Sequence, residues 1–326
     1  MRVSFDVEIP EPRRDLLSWR SGPRCFVPLM TMTAAAAQNS VMERTARVLG
    51  ASLHYREAGA GKIVLLLHGL GGDGSRWQPT ISALANQYRV IAPDQVGFGR
   101  SDKPAMNYDV GVLSEFLVAF LDAICISRAS LVGNSIGAAV AAYTAVHFPQ
   151  RVERLVLVGG AGYRRGPRAT PSDPHLRQIQ RCTSLDDTRE NMRLMVYNKA
   201  LVTDRLVAEN FASRAPSALV VEKIQNAIEH RVGGITDEEM RSIKVPTLIV
   251  WGKEDELAGP PSGTAERLRR DIAGSELAVI AETGHMPQFE RPEEFNRLLR
   301  EFLNRSDCNL VSPGEPTASE RESASG

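Results

Sequence analysis

The sequence lacks an excess of charge of either sign: 39 Lys and Arg residues face 39 Asp and Glu, a formal net charge of zero. That removes the electrostatic reason to expect nucleic acid or an anionic membrane as a partner. No apolar run approaches the roughly 20 residues of a membrane span. Cysteine is scarce, with four residues at 25, 125, 182 and 308, too scattered for a zinc or redox spacing. This usage fits a reducing, cytoplasmic setting, and Cys125, in an apolar helical stretch, is expected to pack as a small hydrophobe.

What is there suits a globular chain. Its 326 residues, 43% hydrophobic and 24% charged, allow one large domain with an inserted subdomain. Residues 1–42 stand apart, holding Pro10, Pro12, Pro23 and Pro28, a mixed-charge patch and an alanine run. They read as a disordered extension, or as a start placed upstream of Met30, Met32 or Met42. A signal peptide is the weaker reading, because Pro28 interrupts its apolar run and acidic residues precede it. The tail 306–326 is Ser-, Glu-, Pro- and Gly-rich and reads as disordered.

Between these ends, apolar strands alternate with helical stretches. A hairpin around Gly50-Ala51 precedes apolar runs at 63–67, 88–92, 129–132, 155–158, 245–251 and 276–280. Helices are expected at about 77–86, 112–126, 136–148, 262–272 and 293–303. The block 161–241 shows only helical patterning, at 187–198, 204–213 and 217–231, with an Arg/Pro-rich loop at 164–174. The expected fold is α/β: a mostly parallel central sheet flanked by helices, its core 43–160 and 242–305, with a helical cap 161–241 over the C-terminal strand edge.

Within the 129–148 unit, Gly133-Asn134-Ser135-Ile136-Gly137 follows the pattern G-x-S-x-G between a strand and an Ala-rich helix. Such a turn exposes a serine hydroxyl above the sheet edge, at the N-terminus of a helix whose dipole favours negative charge. A serine needs a base within reach. His285 follows the last strand and so belongs to the same edge as Ser135. The base needs an orienting carboxylate, and Trp251-Gly252-Lys253-Glu254-Asp255 offers Asp255, with Glu254 as local rival.

The order Ser135, Asp255, His285 resembles that of the α/β-hydrolases, specifically the capped esterases and the C–C hydrolases of aromatic meta-cleavage products. The resemblance rests on His68-Gly69-Leu70-Gly71-Gly72, on Asp94 through Gly97, Gly99, Ser101 and Asp102, and on the Ser135, Asp255 and His285 motifs. It spans nearly all of 45–305. It implies backbone oxyanion donors at Leu70 and Ile136, a bracing role for His68, and loop-stabilising roles for Asp94 and Asp102. Some members carry the acid after the sixth strand; here that site reads Gly159-Gly160-Ala161-Gly162, which favours Asp255.

Ser135 stands where haloalkane dehalogenases and epoxide hydrolases of this fold have Asp. The Gly-Asn-Ser elbow and the runs Met195-Val196-Tyr197 and Leu201-Val202-Thr203-Asp204 resemble the C–C hydrolases. Two departures separate the chain from them: Leu70-Gly71-Gly72-Asp73 in place of a Gly-Pro-Gly element, and Gly137-Ala138 in place of two glycines. The leading expectation is therefore a serine hydrolase of a small-to-medium apolar carboxylic ester, working without metal or organic cofactor. C–C cleavage of a dienol substrate is the alternative, followed by acyl transfer to another acceptor and by a non-catalytic small-molecule binder. His54, His147, His175 and His230 carry no pattern.

Overall fold

The computed structural model describes residues 40–163 and 180–305. Its centre is an eight-stranded sheet: β1 (Met42–Val48), β2 (Ala51–Ala58), β3 (Lys62–Leu67), β4 (Tyr88–Pro93), β5 (Ala129–Asn134), β6 (Val152–Val158), β7 (Thr247–Gly252) and β8 (Glu276–Ile280). The spatial order is β1-β2-β4-β3-β5-β6-β7-β8. From β4 to β8 every pair is parallel, whereas β2 runs antiparallel to β4 and to β1.

The continuous apolar runs reflect burial on both faces. Leu65, Leu67, Leu131, Leu155 and Leu157 face a layer that includes Phe116, Phe120 and the alanines of the helix Ile136–His147. Their neighbours Val64, Leu66, Val132, Val156 and Val158 face Trp77, Ile81 and Phe295 on the other side. A strand with both faces covered needs no polar alternation, and each fully buried aliphatic side chain is worth about 1.5–3 kcal/mol. Those two layers fix β3, β5, β6 and β7 as the rigid centre.

Because the central strands are parallel, the loops after β3, β5, β7 and β8 all open at one edge. That edge carries His68, Ser135, Asp255 and His285. Between β6 and β7 the described residues form the helices Leu185–Met195, Asp204–Arg214, Ala218–Glu229 and Asp237–Arg241. Side-chain oxygens of Ser184, Thr203 and Thr236 cap three of them, satisfying amides that would otherwise be orphaned. This block is the inserted helical cap. Its two ends meet in a short parallel bridge between Tyr163 and Ile235, an element absent from the all-helical expectation.

Other differences are local. The helix Val110–Ala123 stops before Cys125, which is exposed with φ of 59° and does not pack as a buried hydrophobe. Met42, assigned to the extension, begins β1. The expectations for 1–39, the 164–174 loop and 306–326 fall outside the described residues. Among those described, no helix is long and apolar enough to cross a membrane.

Candidate active site

Ser135 has φ of 56° and ψ of −117°, a backbone region that costs a non-glycine residue about 1–3 kcal/mol. The surroundings enforce it. Its amide donates to Val158 O at 2.9 Å, and its carbonyl accepts from Ala138 and Ala139 as the helix begins. Gly133 and Gly137 have no spare room: a Cβ on the first would run into the backbone of the second, and one on Gly137 into Leu67 O. The turn therefore demands those glycines for close approach.

His285 Nδ1 lies 2.8 Å from Asp255 Oδ2 in a fully buried pair. The other oxygen of Asp255 accepts from the amides of Leu257 and Ala258 at 2.9 and 2.8 Å. With Nδ1 committed to the acid, His285 Nε2 is the free nitrogen, and it is buried without a hydrogen-bond partner among the described residues. Glu254, the rival acid, instead accepts from the Thr283 amide. Asn134 Nδ2 donates to His285 O at 3.1 Å, so the residue before the serine holds the backbone of the histidine. Ser135 Oγ makes no hydrogen bond to His285 Nε2 in this state. Hydrogen bonds of this kind are often long in ligand-free proteins and tighten when substrate binds.

Gly69, next to Leu70, approaches so closely that a Cβ there would sit 3.3 Å from Ser135 Cβ. Neither the Leu70 nor the Ile136 amide enters a loop or side-chain hydrogen bond among the described residues. His68 braces this loop: Nδ1 donates to Gly69 O at 2.8 Å, and Nε2 accepts from the Gln95 amide at 3.0 Å. Burial lowers its pKa, keeping the ring neutral in this tautomer. Asp94 accepts from the Gly74 and Arg100 amides and contacts His54 Nδ1 at 3.1 Å. Asp102 accepts from the Ser52 amide at 2.7 Å. His54 thus has a bracing partner that its sequence context did not announce. His147 faces Glu239, His230 binds its own helix, and His175 lies outside the described residues.

A cavity between the cap and this edge is lined by Leu70, Trp77, Asn134, Met192, Met195, Val196, Val202, Leu206, Met286 and Phe289, among others. Asn134 and Met286, the chain neighbours of Ser135 and His285, are among its lining residues. Among the described residues its charged lining consists of Arg76 and Arg214, with no carboxylate. Arg214 is buried; it donates to Leu70 O at 2.9 Å and to Gln180 O at 2.5 Å, and its Nε has no partner among the described residues. Burial lowers the pKa of both guanidinium groups, without discharging groups whose ordinary value lies so high. Asp73 behind them is only partly exposed. Burial opposes its ionisation, but hydrogen bonds from Ser213 and Ser75 prevail and hold it at about 2. Sequence inspection missed both arginines. The one signal was that Asn210, not an acid, stands one helical turn before Arg214.

Residues 62–292 match the family model for the alpha/beta hydrolase fold. The chain belongs to the α/β-hydrolase family. It is 32% identical over 295 residues to a 2-hydroxy-6-oxo-2,4-heptadienoate hydrolase of Pseudomonas putida (strain F1), covering 82% of this chain and 99% of that one. It is 31% identical to a 2-hydroxymuconate semialdehyde hydrolase of Pseudomonas sp. (strain CF600), covering 85% and 99%. Among solved structures, a meta-cleavage product hydrolase from Pseudomonas fluorescens IP01, complexed with acetates, superposes with a TM-score of 0.68 at 31% identity, covering 80% and 97%. This α/β-hydrolase is thus closely related to the meta-cleavage-product hydrolases.

Proposed function

We propose that this hydrolase cleaves a C–C bond in a carboxylate-bearing dienol of the meta-cleavage-product type, with Ser135 as nucleophile, His285 as base and Asp255 as its orienting acid. The observation that carries the reading is the cavity's charge: among the described residues its lining has two arginines and no acid, with His68, Asn134, Asn210 and Gln288 as its other polar side chains in a wall that is mostly apolar. A substrate with an anionic end and an apolar body matches that lining better than the neutral ester ranked first from sequence. The names of the relatives point the same way.

In this reading Arg214, already seated against the Leu70 carbonyl, holds the carboxylate end by charge-assisted hydrogen bonds. Once the dienol has ketonised, its enol oxygen losing a proton as a carbon of the conjugated chain gains one, Ser135 adds to the carbonyl carbon while His285 Nε2 takes the hydroxyl proton. The amides of Leu70 and Ile136 receive the oxyanion. The C–C bond then breaks, and its electron pair is delocalised into the conjugated fragment. The His285 imidazolium protonates that fragment, and water releases the acyl group from Ser135.

Ester hydrolysis uses the same attack and the same oxyanion donors, and the apolar lining by Met192, Val196, Val202 and Phe289 supports it. A substrate panel separates the two. A dienol carboxylate should turn over faster than short p-nitrophenyl esters, and Ser135→Ala should remove both activities. Faster turnover of the neutral esters would return the ester reading to first place, and full activity in Ser135→Ala would end both.

A further inference from the structure

His285 is held from three sides, and one of them is the cap. Its side chain meets Asp255, its carbonyl accepts from Asn134, and its amide donates to Met195 O at 2.8 Å. Met195 is the last residue of the cap helix Leu185–Met195. The preceding amide, Gly284 N–H, donates to Glu290 Oε1 at 2.7 Å. The second oxygen of Glu290 takes the amides of Tyr197 and Asn198, at 2.7 and 3.0 Å. One carboxylate therefore ties the turn after that cap helix to the loop carrying the histidine.

The same turn reaches the acid. Lys199 Nζ donates to Val196 O at 2.7 Å and to Glu256 Oε1 at 3.1 Å, next to Asp255. The packing is close: a Cβ on Gly284 would lie 2.9 Å from both Met195 O and Tyr197 N. Met195 and Val196 also line the cavity. A ligand that fills the cavity bears on the turn that holds the backbone of His285.

We infer that Glu290, with the cap turn 195–199, is a positioning element that sets the imidazole of His285 against Ser135 and couples cap placement to reactivity. This inference rests on the serine-hydrolase reading above. Two amides in a row, Gly284 and His285, find their acceptors only when Glu290 and the cap turn are in register. An amide at 290 cannot reproduce the arrangement. Glutamine has one acceptor oxygen, so its NH2 group would face an N–H on one side.

The test compares wild type, Glu290→Gln, Lys199→Met and a cap control, Arg189→Ala, which breaks only a surface pair with Asp204 at 2.7 Å. Each protein is checked for cooperative thermal unfolding. Turnover of a dienol carboxylate and the rate of Ser135 labelling by a fluorophosphonate are then measured. Glu290→Gln should lower kcat by about 10- to 100-fold with KM unchanged, since a misplacement near 1 Å costs on that order. Labelling should slow in parallel, because it needs the base but no cap contact. Lys199→Met should show a smaller fall in the same two readouts, and Arg189→Ala should show neither.

Wild-type kcat and labelling in a folded Glu290→Gln protein would overturn the inference. So would an equal loss in Arg189→Ala, or a change confined to KM. A wild-type chain that labels at Ser135 but turns over no dienol would sink the substrate reading alone. The labelling rates would still decide the positioning role.

Discussion

His285 Nδ1 and Asp255 Oδ2 are 2.8 Å apart, with side chains 2% and 0% exposed. With the carboxylate on one nitrogen, the ring presents the other as a proton acceptor. Asp255→Asn keeps the shape but can stabilise the wrong tautomer. Turnover should fall by about 10⁴-fold, as such a change does in a Ser-His-Asp triad, while the thermal midpoint moves little. Steady-state kinetics beside a melting curve would check this.

The buried guanidinium of Arg214 predicts a substrate preference. Arg214→Met should raise KM for a carboxylate substrate by about 10- to 100-fold, the worth of a charge-assisted hydrogen bond of about 1.5–3 kcal/mol. A neutral ester should keep its KM. Since Arg214 also binds Leu70 O, the ratio of the two specificities, rather than either rate, is the measurement to trust.

The tightness of the serine turn predicts a stability effect. Gly133→Ala forces a methyl group into the backbone of Gly137. The loss should reach at least about 1–3 kcal/mol, the cost of overfilling a packed interior. Urea unfolding at neutral pH would measure it, and labelling of Ser135 should weaken along with it.

Acid should destabilise the protein through Asp73 and His68. Asp73 sits at about 2 in the fold against an ordinary 3.8. Between these values the unfolded chain binds more protons, so the contribution of Asp73 is full above about 4 and is lost as pH drops toward 2, by about 2 kcal/mol. His68 is also lowered, from 6.5, by burial. Below about 6.5 the unfolded ring takes a proton that the folded ring refuses, so decline begins there. Ser213→Ala removes a hydrogen bond to Asp73 and should flatten the lower limb in urea titrations across pH.

The strands were legible because burial on both faces leaves apolar runs such as Ile63 to Leu67, and the serine turn because its glycines are sterically required. β1 was only half legible: it is an edge strand with an almost wholly exposed pattern, so no alternation marked its beginning at Met42. Cys125 misled because the apolar stretch continues past the end of its helix. Asp255 was separated from Glu254 by family analogy; in the fold Asp255 pairs with His285 whereas Glu254 accepts from the Thr283 amide. Arg76, Arg214 and Glu290 could not be read. They sit where cap and core meet, and chain order carries no record of that meeting.

Asp94 links the Gly74 amide, beside the cavity-lining Arg76, to His54 on β2, one strand in from the sheet border. Asp94 thus braces both the margin of the sheet and the cavity side. Fraying that begins at β1 and spreads inward would slacken the cleft while the central strands still hold, so heating should silence the enzyme before it erases the circular-dichroism signal.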